Sequence, residues 1–201
     1  MTQTLLLATN NPHKVEEFRS IFLPYGVILQ TPGEFGLFND VEESGNTYFE
    51  NARLKAEAYW QDGEFQVLAD DSGLEVEALN GAPGIHSHRF LPDPNATSHD
   101  RCRYLLQQLQ DFPRPWRAAF HCEVVVLTYQ GAILTSHGVC KGEIIQEFRG
   151  ENGFGYDPIF LVDGTNQTMA ELDPDTKNIL SHRGKAVLGM IAQLGLALRE
   201  A

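Results

Sequence analysis

Four short stretches of the chain gather side chains suited to chemistry on a phosphate. The first is Thr9-Asn10-Asn11-Pro12-His13-Lys14. Asn11 is a good helix cap and Pro12 a good first helical residue. A helix start of this kind offers backbone N–H groups and the positive end of its dipole to an anion. Lys14, one turn in, opposes that dipole, a small cost that a bound phosphate would offset. An ordinary capped helix with a solvated lysine has the same residues, and the GxxxxGK[ST] spacing of a P-loop is absent.

The second set is acidic: Glu42-Glu43, and Asp70-Asp71 behind the apolar Val67-Leu68-Ala69. Carboxylates at the end of a buried strand are costly unless something cationic neutralises them. Hard oxygen donors suit Mg²⁺, which takes one or two carboxylates together with water and phosphate oxygens. If the strand continues, Asp70 and Asp71 face opposite sides. One then serves structure while the other faces a site. The plain alternatives are a solvated acidic loop at Glu42-Glu43 and an Asx-type turn at Asp70-Asp71-Ser72-Gly73.

The third is Gly153-Phe154-Gly155-Tyr156-Asp157-Pro158, where glycines on either side of an aromatic allow close backbone approach and a flat stacking face. A purine suits such a platform; a tight turn with buried rings is the alternative. The fourth is Ser181-His182-Arg183-Gly184 with Lys177 upstream. These donors at a helix start can bind phosphate or read a carbonyl oxygen, or they are simply the polar face of a capped helix.

Positioning these groups requires a mixed set of elements. Thr4 to Ala8 reads as a buried strand, and Val15, Phe18 and Phe22 give the helix after Asn11 an apolar face. Thr47 and Glu50 have capping-box spacing for a helix running to about Trp60 and closed by Asp62-Gly63. Val67 to Ala69 is a strand, and Leu74, Val76 and Ala78 alternate with acids as a half-exposed one. Residues 80–95 read as a Gly- and Pro-rich loop. Ser98 is a candidate cap for a helix carrying Cys102, Leu105, Leu106 and Leu109. Strands are expected over Ala118 to Leu127 and Ala132 to Cys140, joined near Gln130-Gly131. Lys141-Gly142 reads as a turn into a further strand at Ile144-Ile145. The stretch from Gly150 to Pro158 is a loop. A last helix capped by Ser181 carries Val187, Ile191, Leu194 and Leu198. Helices, hairpins and crossovers together give an α/β class.

The chain has 201 residues, enough to bury a sizeable core. Its 27 acidic against 15 basic residues leave a net charge of −12, which argues against binding a nucleic acid polymer. No apolar run approaches the ~20 residues of a membrane span, and the opening lacks a basic signal-peptide region, so a cytoplasmic protein is expected. Cys102, Cys122 and Cys140 form no CxxC pair and read as buried thiols.

The blocks LLLATNNPHK, EESGNTYFENARLKA, LADDSGLEVEALNGAPGIHSHRF, ENGFGYDPIF and AELDPDTKNILSHRGKA occur in order along nearly the whole chain. In them the sequence closely resembles the inosine triphosphate pyrophosphatase family. The resemblance implies hydrolysis of non-standard purine nucleoside triphosphates (ITP, dITP, XTP) to monophosphate and pyrophosphate, with Mg²⁺ and as a homodimer. It implies a long mixed β-sheet flanked by helices, forming one bilobed domain over 1–201 with the active site in a central cleft. It assigns Thr9, Asn10, Asn11, Pro12, His13 and Lys14 to phosphate binding, Lys55 to the phosphates and catalysis, and Glu43 to the metal. Asp71 is assigned as catalytic base and metal-linked carboxylate, and Ser72 as a substrate contact. Phe154, Gly155, Tyr156 and Asp157 form the base loop, and Lys177, His182 and Arg183 contact the purine. Many bacterial members carry Gly at the position of Asn10, and Leu91 to His99 is less family-like. A phosphomonoesterase with the same carboxylates and a nucleotide sensor without turnover are the competing readings.

Overall fold

The computed structural model describes residues 3–37, 39, 41–61 and 63–198; the helix stop expected at Asp62 lies outside them. Among these residues seven strands form one mixed sheet. They are β1 (Thr4–Leu7), β2 (Ile28–Gln30), β3 (Val67–Val76), β4 (Pro83–Gly84), β5 (Trp116–Leu127), β6 (Ile133–Ile144) and β7 (Phe160–Val162). The order is β2-β1-β3-β5-β6-β7, with β4 on β3. β1 runs parallel to β2 and β3, pairing Thr4 with Ile28 and Leu6 with Val67. β3–β4 and β6–β7 are antiparallel, pairing Leu74 with Gly84 and Gly142 with Val162. The helices are α1 (Pro12–Phe22), α2 (Tyr48–Tyr59), α3 (Ser98–Leu109), α4 (Pro174–Leu180) and α5 (His182–Gln193).

The caps explain where helices begin. Asn11 Oδ1 accepts the N–H groups of His13 and Lys14 at the head of α1. Thr47 Oγ1 accepts from Glu50 N–H at the head of α2, but the Glu50 carboxylate returns to Asn46 N–H, so the expected reciprocal box is shifted by one residue. The cap of α3 is Thr97, not Ser98; Thr97 and Asp100 form a full box. Ser181 stands immediately before α5, at the expected cap position, and also closes α4, a helix that the sequence pattern left unmarked although Asp173 and Pro174 are a cap and first-turn pair.

Two long strands replace what the sequence suggested as pairs of elements. β3 continues through Asp70-Asp71-Ser72-Gly73 without the Asx turn, and β6 runs through Lys141-Gly142 to Ile144 without turning. β2 and β7, three residues each, were too short to leave a periodic signal. β4 and short 3-10 turns at Glu77–Leu79 and Ser87–Arg89 lie within the expected 80–95 loop region and its edge. α5 ends at Gln193, so Leu198 falls outside it and is exposed, while Val187 and Ile191 are buried as expected.

The chain divides into two compact units. The first comprises Met1–Asp71, Cys122–Gly138 and Arg183–Ala201; the second comprises Ser72–His121 and Val139–His182. In the first unit Leu5, Leu7, Phe18, Phe22, Cys122, Val124, Val187 and Met190 form one core cluster. Leu6, Ala52, Ala56, Val67 and Val125 form a second there. The second unit is centred on Leu74, Leu105, Trp116, Phe120, Phe160 and Met169. Cys102, Cys122 and Cys140 are buried thiols.

Candidate functional site

In the first unit, β3 presents its two aspartates on opposite sides, Asp70 to Lys14 of α1 and Asp71 to Asn51 and Lys55 of α2. Asp70 is wholly buried, and its carboxylate accepts from Lys14 Nζ at 2.9 Å and Arg183 Nη2 at 3.2 Å. The Cys122 thiol lies 3.8 Å from Asp70 Oδ2. Burial alone would push the Asp70 carboxyl up, but Lys14, Arg183 and Lys55 together outweigh it and hold it well below the usual carboxylate range. Arg183 also donates to Glu17 through Nη1 at 2.5 Å. Burial works against its charged form, and Asp70 and Glu17 more than compensate.

Asp71, on the other side of the strand, is also buried. It accepts from Asn51 Nδ2 at 3.1 Å and from Lys55 Nζ at 3.3 Å. Lys55 Nζ simultaneously donates to Glu43 Oε1 at 2.7 Å. Burial raises the Asp71 carboxyl above its ordinary value; Lys55 and Lys14 oppose that, and the Glu43 charge adds to it. Burial disfavours the Lys55 ammonium, but Asp71, Asp70 and Glu43 raise its pKa above the ordinary lysine value. Two carboxylates thus converge on a single cation. Glu42, their neighbour in sequence, is exposed, so the geometry distinguishes the two glutamates.

Within the Thr9–Lys14 turn three amides are paired internally: Thr9 Oγ1 takes Asn11 N–H, and Asn11 Oδ1 takes those of His13 and Lys14. Asn10, Pro12 and His13 are exposed around this turn. The turn also supplies the Lys14 ammonium, whose opposition to the helix dipole is compensated by Asp70.

In the second unit the loop before β7 is fixed from within. Asp157 Oδ2 accepts from Phe154 N–H at 2.9 Å and from Lys177 Nζ at 2.8 Å. The ammonium lies 5.3 Å from the centroid of the half-buried Phe154 ring, a cation–π arrangement. Gly153 has φ +75°, and a Cβ there would stand 2.1 Å from Asp157 Oδ2, so only glycine fits. The Tyr156 hydroxyl donates to the Ser87 carbonyl at 2.9 Å; burial foremost pushes its pKa up, so it stays a donor. His182, at the start of α5, is buried and stacks on Phe120 with centroids 4.7 Å apart and planes at 12°. Ser72 follows Asp71 on β3 and is half-buried.

The expected residues therefore form two groups: Lys14, Glu43, Lys55, Asp71 and Arg183 in the first unit; Phe154, Gly155, Tyr156, Asp157, Lys177 and His182 in the second. Arg183 is committed to Asp70 and Glu17, although it was expected beside the purine-reading His182. Three contributors were missed by sequence. Glu17 lies three residues after Lys14 and Asn51 four before Lys55, spacings that place each on its lysine's helix face. Ser98, taken for a cap, reaches the base loop.

The residues fit a divalent cation. Glu43 and Asp71 already bracket one positive charge, and such a pair plus substrate oxygens is within the usual Mg²⁺ ligand set. No group of three or more His, Cys, Asp or Glu side chains suited to a metal occurs among the described residues.

The model of the Ham1 family matches residues 5–193. A dITP/XTP pyrophosphatase of Desulforamulus reducens is 46% identical over 184 residues, covering 91% of each chain. One from Coxiella burnetii is 41% identical over 200 residues, covering 98% of this chain and 97% of its own. Among solved structures, a HAM1 protein from Coxiella burnetii superposes with a TM-score of 0.86 at 39% identity, covering 96% of this chain and 99% of its own. The Staphylococcus aureus Ham1 protein gives 0.84 at 38% identity, with 96% and 98% covered. With the family match spanning residues 5–193 and these identities holding along the chain, the protein belongs to the Ham1 family.

Proposed function

We propose that the protein hydrolyses non-standard purine nucleoside triphosphates (ITP, dITP and XTP) to the monophosphate and pyrophosphate, removing them from the nucleotide pool. The observation that carries this reading is the pairing of Lys55 with Glu43 and Asp71 beside Lys14 on Asp70. It stands in a Ham1 family chain whose relatives bear the name dITP/XTP pyrophosphatase. Phosphoryl chemistry asks mainly for positioning and charge neutralisation, and these side chains are suited to both.

Glu43 and Asp71 would hold Mg²⁺. Bound there, the ion would supply charge neutralisation and a more acidic water. Lys14 and Lys55 bind phosphate oxygens, and the Thr9–His13 turn shapes the approach. Asp71 orients the attacking water and accepts its proton. Water adds to the phosphorus, pyrophosphate leaves, and the monophosphate retains the new oxygen.

Phe154 stacks on the purine, with Gly155, Tyr156 and Asp157 shaping the loop and Ser72 adding a contact. Lys177, His182 and Arg183 favour a carbonyl at the purine six-position. Against an amino group, each buried donor would face another donor, at a cost of roughly 1–3 kcal/mol. Arg183 also braces Asp70, and so Lys14, through the contacts described above. The reading extends to one bilobed domain acting as a homodimer in the cytoplasm, on the strength of the resemblance.

The test is a product assay with ITP and Mg²⁺ that resolves IMP, IDP, pyrophosphate and orthophosphate, with ATP and GTP in parallel. IMP plus pyrophosphate with little ATP or GTP turnover is expected; IDP plus orthophosphate would make the protein a phosphatase instead. Asp71→Asn should abolish turnover while ITP still binds, and near-normal rates in that variant would remove Asp71 from its role.

A further inference from the structure

Phe154 and Tyr156 flank Gly155, a residue with φ +63° that has no side chain to anchor it. Its peptide groups are nevertheless held on both sides by α3. The Gly155 N–H donates to Ser98 Oγ at 3.2 Å, and the Gly155 carbonyl accepts from the Cys102 thiol at 3.3 Å. Ser98 and Cys102 are four residues apart, so one face of the helix presents both. Because Thr97 and Asp100 form the capping box, the Ser98 hydroxyl is not needed as the cap. Arg101 Nη2 donates to the same hydroxyl at 3.3 Å. Cys102 is wholly buried. That burial, with the Asp157 charge next in size, pushes its thiol up to about 12, so it remains a protonated donor across the working range of pH.

We infer that Ser98 and Cys102 are positioning residues for purine recognition: they clamp the Gly155 peptide at its N–H and its C=O, and so set the pitch of the Phe154 ring. The inference rests on the reading of Phe154 as the base platform. Asp157 and Lys177 fix the Phe154 end of the loop, whereas α3 fixes its middle. Loss of the clamp leaves the phosphate-binding lysines of the other unit untouched. Its signature is weaker binding of the nucleoside with unchanged handling of the phosphates.

The test uses the full chain and compares Ser98→Ala, Cys102→Ala and the double variant by KM and kcat for ITP. The Ki of inorganic tripolyphosphate serves as a probe that has phosphates but no base. One neutral hydrogen bond corresponds to a few-fold in affinity, and the thiol donor is the weaker of the two. KM should rise about fivefold for Ser98→Ala, about two- to threefold for Cys102→Ala and roughly tenfold for both. kcat should stay within about twofold and the tripolyphosphate Ki should not move. Ser98→Thr and Cys102→Ser keep an acceptor and a donor, and should restore most of the affinity; melting temperatures verify that each variant is folded. Equal rises in ITP KM and tripolyphosphate Ki would reveal a global distortion and overturn the inference, as would wild-type KM in the double variant. Phe154→Ala separates the two layers. If it raises KM while the clamp variants do not, the clamp is wrong and the platform stands. If it leaves KM unchanged, the platform reading fails and takes the clamp with it.

Discussion

Replacing Asp70 by asparagine removes one negative charge from a wholly buried position while keeping the shape. In the native chain that charge is shared by Lys14 and Arg183, whose side chains are 14% and 2% exposed. Removing one partner from a buried ion pair costs about 3–5 kcal/mol, because the remaining charge stays desolvated. Arg183 keeps Glu17 as its counter-ion, and Lys14 has enough exposure to turn toward water. The cost therefore falls at the low end, about 3 kcal/mol. For a chain of this length that corresponds to a melting temperature lower by roughly 6–12 °C. The pH dependence has a definite sign. The Asp70 carboxyl sits below its ordinary value of 3.8, so its contribution to stability is full above that pH and is lost as pH falls toward the folded-state value. Asparagine does not titrate. Thermal unfolding of both proteins by circular dichroism, run as a pH series, should show the full gap near neutrality and a narrowing gap below pH 3.8. A difference under about 1 kcal/mol near neutrality, or a gap constant through the acid range, would refute the account of Asp70 as the buried counter-charge.

Three further outcomes are expected. Glu43→Gln removes a carboxylate that pairs with Lys55 and would hold Mg²⁺, so the variant should need more Mg²⁺ for half-maximal ITP turnover; an unchanged Mg²⁺ dependence would remove Glu43 from the metal site. Gly153→Ala forces a Cβ to within 2.1 Å of Asp157 Oδ2 at a left-handed backbone position. It should raise the KM for ITP about tenfold or more, equivalent to about 1.4 kcal/mol, measured by steady-state kinetics. Gly73→Ala would place a Cβ 2.2 Å from the Gly84 carbonyl oxygen and push β4 off β3. A loss of roughly 1–3 kcal/mol in urea unfolding is expected.

The elements that hold the site were legible where local chemistry is strong. Asn11-Pro12, Thr47 and the run Val67 to Ala69 mark their helix or strand because capping and burial act within a few residues. The opposite facing of Asp70 and Asp71 followed from strand geometry, once the strand was allowed to continue. Pairings across long sequence separations were not legible. Nothing near Glu17 points to Arg183, 166 residues away. The continuity of β6 was misread because Lys141-Gly142 looks like a turn. There the missing side chain instead admits β7: a Cβ on Gly142 would lie 2.2 Å from the Leu161 carbonyl oxygen.

The first unit is assembled from three separated segments, and its last contributes Ala186, Val187, Met190 and Ile191 to the core together with Arg183 beside Asp70. During synthesis on the ribosome, this half of the protein therefore cannot close until α5 has left the exit tunnel. Until then the apolar face of α1 and the β1 side chains Leu5 and Leu7 lack their α5 partners, and the Asp70 carboxylate lacks its guanidinium. The second unit is complete in sequence at His182 and can collapse earlier. A chain that ends at His182 and has been released from the ribosome should thus have a protease-resistant second unit and a first unit still open to chaperones.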